Sequence, residues 1–277
     1  YGVICPLIVL GGLGFGVLYN LTNLFLDRLR LTWVRRVHRR LFLSGEPPMR
    51  MRLQSKIVLS VTGVLIVVGA AALLILEQFS GADRPSGPPD VLGAIFQSIT
   101  ARTAGFNSVR IADMTDASKL VLMFLMFVGG SPGSTAGGIK TVTLAIVLAT
   151  VMATLRKRTD LEMFHRSIRI VVLRRAVTII VLFVAVILLA TMILTITERS
   201  HYPGDFTFLD LTFEVVSAIC TVGLSTGVTP LLTDAGKLII ILVMLIGRLG
   251  PLTLLAALTF NLRPVRYDYP EEVVIVG

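Results

Sequence analysis

The chain has 277 residues, of which 54% are hydrophobic and 16% are charged, and its formal net charge is +9. Soluble domains carry roughly 25% charged residues, so this composition excludes an ordinary water-soluble surface. The mean hydropathy is +0.83, and several apolar runs approach the ~20 residues that cross a bilayer, which predicts an integral membrane protein built from helices.

The first apolar segment runs from about Gly2 to Leu26 and leads into a basic stretch. Nine Lys and Arg residues lie between Arg28 and Lys56, and such clusters mark cytoplasmic loops. We therefore expect the segment to cross from outside to inside. Membrane topology accounts for the basic residues, and no recognition motif accompanies them, so no nucleic-acid partner is expected. The start at Tyr1, without a signal peptide, is typical of a piece of a longer protein.

A second apolar segment, Ile57 to Leu76, is expected to return outward. The next stretch, Val91 to Thr100, is too short to span a bilayer and is followed by a polar turn that contains glycine. This pattern is typical of a re-entrant element. Irregular backbone inside a membrane is tolerated only where it is buried in protein or lines water, so a cavity or pore is predicted.

The run from Leu120 to Leu155 leads back inward and is interrupted by the glycine-rich sequence Gly129 to Gly138. A second basic stretch, Arg156 to Arg175, holds seven Lys and Arg residues and is assigned to the cytoplasm. The outer loops hold 10 of the 17 acidic residues. We expect these acids to draw cations toward a mouth.

The order of span, short dip and span then occurs a second time, in Ala176 to Thr197, Leu211 to Ile219 and Leu238 to Leu262. The two copies match at a separation of 118 residues. The matched pairs are Gly105 with Gly223, Asp116 with Asp234, Ala117 with Ala235, Lys119 with Lys237, Leu120 with Leu238, and Gly129 with Gly247. Subtracting the same separation again gives Gly11, so the opening segment is interpreted as the end of an earlier copy.

These observations predict an all-α integral membrane fold with repeated units of transmembrane helix, re-entrant pore helix and transmembrane helix around a pseudo-symmetric ion pore. The predicted parts are the last helix of a truncated second repeat (1–27), a basic cytoplasmic loop (28–56), the third repeat (57–157), a second basic loop (158–175), the fourth repeat (176–262) and a cytoplasmic tail (263–277).

Each short dip is followed by a turn of small residues, Thr103-Ala104-Gly105 in one copy and Thr221-Val222-Gly223 in the other. Glycine adopts backbone angles that are closed to other residues, so carbonyl oxygens can point at one axis. A ring of carbonyls replaces the hydration shell of a monovalent cation in potassium channels, whose filter begins Thr-Val-Gly. We predict a filter with K⁺ at the carbonyls of Gly105 and Gly223, and we extend it to Phe106 and Leu224. The alternative is a structural turn between helices.

The glycine-rich interruption has the glycine spacing of a phosphate-binding loop, but Ile139 breaks that pattern and apolar walls flank it. A loop that occupies the conduction path and moves aside is the preferred interpretation, and a plain helix kink is the alternative. Arg248 lies in the last apolar run, where it should face the interior and bond to the loop's hydroxyls and carbonyls, as a gate or as a structural anchor. Lys140 is a weaker candidate, since it can snorkel from the end of the loop.

No catalytic site or cofactor is expected, because the three histidines, His38, His165 and His201, lie in loops away from any nucleophile at membrane depth. Cys5 and Cys220 are too far apart in sequence to indicate a metal site or a disulfide framework. Glu214 either attracts cations or sits at the membrane interface.

The sequences Phe96 to Asn107, Gly129 to Ser134 and Gly247 to Pro251 resemble the Trk/Ktr/HKT superfamily of potassium transporters, and within it the Ktr membrane subunits. The resemblance implies four repeats around one pore, with Gly105 and Gly223 as filter glycines of the third and fourth repeats. It also implies an intramembrane gating loop and a gate arginine, Arg248. The implied gate residues are Gly129, Gly130, Ser131, Gly133, Ser134, Gly137, Gly138, Lys140 and Arg248.

The resemblance further implies a homodimer in the plasma membrane, docked on cytoplasmic nucleotide-binding regulatory subunits, with Na⁺ as a possible activator of K⁺ uptake. The expected function is K⁺ uptake through a carbonyl-lined filter that an intramembrane loop gates. The alternatives are an ion-coupled secondary transporter with a midplane site and a membrane scaffold without transport.

Overall fold

The computed structural model describes residues 1–37, 51–79, 90–157, 162–164, 166–199 and 207–250. The helices of this part of the chain are α1 (Ile4–Leu13), α2 (Phe15–Val37), α3 (Leu53–Phe79), α4 (Val91–Thr100), α5 (Asp116–Phe127), α6 (Thr141–Leu155), α7 (Ile170–Arg199), α8 (Phe208–Ile219) and α9 (Asp234–Leu249). Short 3₁₀ turns at Ile111–Asp113 and Thr229–Leu231 precede α5 and α9. The predicted tail, the end of the last span and the three histidines lie outside the described residues.

Two of the described helices, α3 and α7, are long and apolar enough to cross a membrane, and the bent pair of α1 and α2 would make a third. The prediction of a mostly helical membrane protein is confirmed to this extent. The second basic stretch also contains a short antiparallel pair of strands, β1 (Glu162–Met163) and β2 (Arg166–Ser167), which the all-helical prediction did not include. Both basic stretches are partly helical, because α2 continues to Val37 and α7 begins at Ile170.

The composition of the first apolar segment predicted one helix, but the structure divides the segment into two. α1 ends at Leu13, Gly14 adopts φ 78°, and α2 leaves at an angle of 103°. α9 ends in the same way, because Gly250 follows Leu249 with φ 82°. Gly14 and Gly250 are separated by twice the repeat length, and left-handed angles at these positions are readily adopted only by glycine. A glycine with positive φ therefore ends a helix at both positions.

Threonine hydroxyls begin the helices that follow the outer loops. Thr115 accepts a hydrogen bond from the Ser118 amide at the start of α5, and Thr233 accepts one from the Gly236 amide at the start of α9. Such caps satisfy amides that have no partner within the helix. Because Thr115 and Thr233 are matched positions of the two copies, the same local sequence sets the same helix start.

The two short helices, α4 and α8, each lie within one of the two repeated units. α4 packs against α3 and α1, while α8 packs against α7 and α9, and α5 contacts α8 across the two units. One buried apolar cluster runs through this region and includes Leu122, Ile139, Phe213 and Ile219. This packing places the carboxyl ends of α4 and α8, and the turns that follow them, near each other. Their re-entrant placement in a membrane stays a prediction.

Candidate functional site

The two predicted filter turns meet in the structure. A β-carbon added at Gly105 would overlap the carbonyl oxygen of Val222 and lie 3.2 Å from the Cα of Gly223. A β-carbon added at Gly223 would lie 3.7 Å from the Cα of Gly105. The turns are therefore in direct main-chain contact, although Gly105 and Gly223 are far apart in sequence.

The two turns also share one backbone pattern. Thr103 and Gly105 have φ values of 72° and 75°, and Thr221 and Gly223 have φ values of 52° and 92°. Threonine is β-branched, and such residues are rarely found at positive φ, where they carry a local energetic cost. Two threonines in this conformation, at matched positions, indicate that the turns have a role that overrides local preference.

Several amide groups of the turns donate back to the short helices that precede them. Ala104 and Gly105 donate to the carbonyl oxygen of Thr100 at 3.0 and 3.3 Å, and Val222 donates to that of Ser217 at 2.9 Å. Within the described residues, no donor bonds to the carbonyl oxygens of 103–105 or 221–223. These oxygens therefore have unused hydrogen-bonding capacity, and that of Val222 faces Gly105.

The two outer residues of the predicted filter, Phe106 and Leu224, have different surroundings. The hydroxyl of Thr100 donates to the carbonyl oxygen of Phe106 at 2.9 Å and accepts from the Phe106 amide at 2.8 Å. The Phe106 carbonyl therefore already accepts one hydrogen bond, and the residue is exposed. Leu224 is 1% exposed and belongs to the apolar cluster. Their place in the filter stays a prediction.

The glycine-rich interruption, residues 128–140, is a loop with a closed neck. The Gly129 amide donates to Ile139 at 2.9 Å, the Ile139 amide donates to Phe127 at 3.0 Å, and the Thr141 amide donates to Gly130 at 3.0 Å. These bonds hold the two ends of the loop side by side. A plain helix kink would not produce these main-chain hydrogen bonds between the two ends of the segment. The loop is therefore a distinct element between α5 and α6.

The loop touches the second filter turn through Gly137, next to the neck. A β-carbon at Gly137 would overlap the Thr221 hydroxyl oxygen and the Cys220 carbonyl oxygen. Thr135 and Ala136 of the loop also line a cavity of about 380 Å³ together with residues of the first turn, Thr103 and Ala104. The loop therefore contacts the second turn directly and faces the first turn across this cavity.

The opposite side of the loop is bonded to the break between α1 and α2. The Ser131 amide donates to Gly12 at 2.9 Å, the Phe15 amide donates to Gly133 at 3.2 Å, and the Ser131 hydroxyl donates to Leu13. A β-carbon at Gly14 would lie 2.5 Å from the Ser131 hydroxyl oxygen. The helix break thus makes room for the loop.

Two predicted cationic residues bond to loop carbonyls. Arg248 donates to Thr135 at 3.2 Å, and Lys140 folds back to donate to Ala136 at 2.7 Å. Both line a second cavity of about 410 Å³. Arg248 lies in the last turn of α9 and is exposed among the described residues, and its bond to a loop carbonyl is of the kind expected from the sequence.

Arg102 is a residue that sequence reasoning missed. Its guanidinium is buried, and Nη2 donates to the Gly129 carbonyl oxygen at 3.1 Å and to the Thr62 hydroxyl at 3.4 Å. The sequence did carry a signal, since a charged residue stands directly between an apolar short helix and the first filter turn.

Several acids of the outer loops are engaged inside the protein rather than at a mouth. Glu77 accepts from the Thr115 amide and hydroxyl, and Glu198 accepts from the Thr233 amide and hydroxyl. Glu214 is 5% exposed and accepts hydrogen bonds from residues of the segment that follows the second turn: Ser225, Thr226 and Thr229. Glu214 therefore holds that segment in place, which neither of its expected roles included.

An ion pair joins the two units near their outer ends. Lys119 Nζ lies 3.1 Å from Asp210 Oδ1, and the two side chains are only 8% and 17% exposed. Burial raises the pKa of Asp210, but hydrogen bonds from Thr207 and Lys119 and the Lys119 charge outweigh it, so the pKa lies below its ordinary value of 3.8. Among the described residues, no group of three or more His, Cys, Asp or Glu side chains could hold a metal ion.

Comparison with known proteins places this geometry in context. Residues 1–262 match the TrkH family, described as "Cation transport protein". The chain is 37% identical over 279 residues to the potassium/sodium uptake protein NtpJ of Enterococcus hirae, covering 99% of this chain and 56% of that protein. It is 33% identical over 285 residues to the Ktr system potassium uptake protein B of Bacillus subtilis, covering 99% of this chain and 56% of that protein.

A solved structure has a similar fold. The crystal structure of the potassium transporter TrkH from Vibrio parahaemolyticus matches with a TM-score of 0.56 and 22% identity, covering 74% of this chain and 44% of that one. The chain spans about half the length of the curated relatives it matches.

Proposed function

Because this chain belongs to the TrkH family of cation transport proteins, we propose that it forms part of a transporter for K⁺ uptake and contributes two filter turns and a gate to it. The resemblance deduced from the sequence is confirmed by the family match, and so is the expectation of a transporter rather than an enzyme. The potassium pathway, the filter and the gate are our proposals.

The free carbonyl oxygens of the two turns are the observation that carries this proposal. Carbonyls without a hydrogen-bond donor in a water-poor site gain most from a bound cation, because nothing else satisfies their lone pairs. Thr103 to Gly105 and Thr221 to Gly223 carry these oxygens and touch through Gly105 and Gly223. K⁺ held at the carbonyls of the two glycines is the simplest use of the arrangement.

The loop of residues 128–140 is proposed as the gate. It packs against the second turn through Gly137 and borders a cavity that the first turn also lines. Arg248 and Lys140 donate to loop carbonyls that would otherwise attract a cation, and they add positive charge to the loop. In this position the loop opposes ion passage, and displacement of the loop opens the path.

The whole transporter is proposed to be a multi-pass protein of the plasma membrane that works as a homodimer. The relatives named as Ktr system proteins support partner subunits, and we propose a cytoplasmic nucleotide-binding regulatory subunit. Na⁺ is proposed as an activator or second transported ion, since one relative is named a potassium/sodium uptake protein. No other cofactor is proposed.

A flux assay on the full-length protein tests this function. The protein is reconstituted in liposomes, and K⁺ flux is measured against K⁺ concentration and against an imposed Na⁺ or H⁺ gradient. A carbonyl-lined pore gives flux down the K⁺ gradient without fixed stoichiometry. Obligatory symport or exchange would instead favour an ion-coupled secondary transporter with a midplane site, and absence of any cation flux would contradict transport.

A further inference from the structure

Arg102 carries a charge in a place where a cation pathway should not tolerate one. It directly precedes Thr103 of the first filter turn, and the residue is 8% exposed. No carboxylate pairs with it in the described part of the chain, and its Nε has no hydrogen-bond partner there. Burying a guanidinium without a counter-ion costs folding free energy, so the remaining contacts of Arg102 indicate what its charge does.

Those contacts lead away from the filter turn and toward the loop. Nη2 donates to the Gly129 carbonyl oxygen at 3.1 Å and to the Thr62 hydroxyl at 3.4 Å. Gly129 is the residue whose amide closes the loop neck by bonding to Ile139. One side chain therefore joins the main chain beside Thr103 to the neck of the loop. Hydrogen bonds from a charged donor are among the stronger ones in proteins.

The second filter turn is attached to the loop differently. The residue before Thr221 is Cys220, which is uncharged and buried, and the loop packs directly against this segment through Gly137. Gly137 lies beside Gly129 in the neck, since a β-carbon on Gly129 would overlap the Gly137 carbonyl oxygen. The neck of the loop is thus bonded to the first turn through Gly129 and packed against the second turn through Gly137.

We propose that Arg102 is a positioning residue that couples the first filter turn to the neck of the gate loop. Through this bond, a shift of the loop changes the placement of Thr103 and its neighbours, and a change of the turn is transmitted to the loop. The inference rests on the proposed function, because it assigns the link between the filter and the gate of that pathway.

The test is a double-mutant cycle in the full-length protein, reconstituted in liposomes. Arg102→Met is made in the intact protein and in a variant that lacks residues 131–137, and the fluxes of K⁺ and Na⁺ are measured for each. In the intact protein we expect K⁺ flux to change by threefold or more. In the loop-deleted protein the same substitution should change K⁺ flux by less than 1.5-fold, because its route of action is gone.

Lys119→Met is the matched control, since it removes another buried cation that does not contact the loop. Its effect on flux should be the same in both backgrounds. If Arg102→Met does not fold, Arg102→Lys and Thr62→Val replace it in the same comparison.

An equal flux change in both backgrounds, or no change in either, would overturn the coupling role. Loss of all cation flux in the unmodified protein would instead remove the proposed function, so the two failures are distinguishable.

Discussion

Gly137 lies directly against Thr221, so closely that a β-carbon on Gly137 would overlap the threonine hydroxyl oxygen. The contact joins the glycine-rich loop to the second filter turn. Any side chain at this glycine must displace the loop, the turn, or both.

Gly137→Ala in the full-length protein is therefore expected to raise basal K⁺ flux severalfold, because the added methyl group forces the loop off the turn. Flux into liposomes measures the effect. Gly63→Ala is the control, since a β-carbon at Gly63 meets no atom within 4 Å in the described chain and the residue lies within α3. A Gly137→Ala protein with unchanged, normally regulated flux would argue against loop gating.

Substitution of the two filter glycines should reduce K⁺ over Na⁺ selectivity to different degrees. Both residues have positive φ, which costs an L-residue about 1–2 kcal/mol. Gly105→Ala adds a clash with the Val222 carbonyl oxygen, whereas a β-carbon at Gly223 lies 3.7 Å from its nearest neighbour. We expect a tenfold or larger loss for Gly105→Ala and a smaller loss for Gly223→Ala, measured as the ratio of K⁺ to Na⁺ flux. Wild-type ratios in both variants would exclude these turns as the filter.

Arg248→Gln should increase K⁺ flux, because it removes the charge and weakens the bond that holds Thr135 of the loop. Bonds from charged groups contribute about 1.5–3 kcal/mol, less where they are exposed, as here. We expect a two- to tenfold increase in the flux assay. Arg110→Gln is a suitable comparison, since Arg110 is an exposed arginine that pairs with Asp113 outside the loop. A decrease in flux for Arg248→Gln would assign that arginine to structural support.

The ion pair between Lys119 and Asp210 predicts a pH dependence of stability. Because the pKa of Asp210 is lowered in the folded protein, the pair stabilises the fold fully above pH 3.8, and this contribution is lost as the pH falls through the lower folded value. The thermal midpoint in detergent should fall on acidification over that range. Lys119→Met should lower the midpoint at neutral pH and flatten this part of the pH profile. The same acid-induced drop in Lys119→Met as in the unmodified protein would assign the dependence to other carboxyl groups.

The sequence predicted some elements closely because their signals are local. The Val91–Thr100 helix has the predicted bounds, since Asp90 caps one end and a polar, glycine-bearing turn follows the other. The break at Gly14 was missed because Gly11, Gly12, Gly14 and Gly16 all lie in one apolar run, and composition does not say which of them ends the helix.

The contacts of the site could not be read from the sequence, because they join distant segments. Arg102 reaches a carbonyl 27 residues away, and Arg248 reaches one 113 residues away. Main-chain carbonyls carry no residue-specific signal, so neither partner was identifiable. Glu214 was left between two roles for the same reason, since its hydroxyl donors lie beyond the turn that follows α8.

The carboxylates of Glu77 and Glu198 tie each long helix to the capping threonine of the last helix in its own unit, Thr115 or Thr233. Each unit is thereby held together where its last helix, α5 or α9, begins. The glycine-rich loop and Gly250 follow the opposite ends of these two helices. If the helices move relative to one another, we therefore expect the ends anchored by Glu77 and Glu198 to keep their spacing while the opposite ends rearrange.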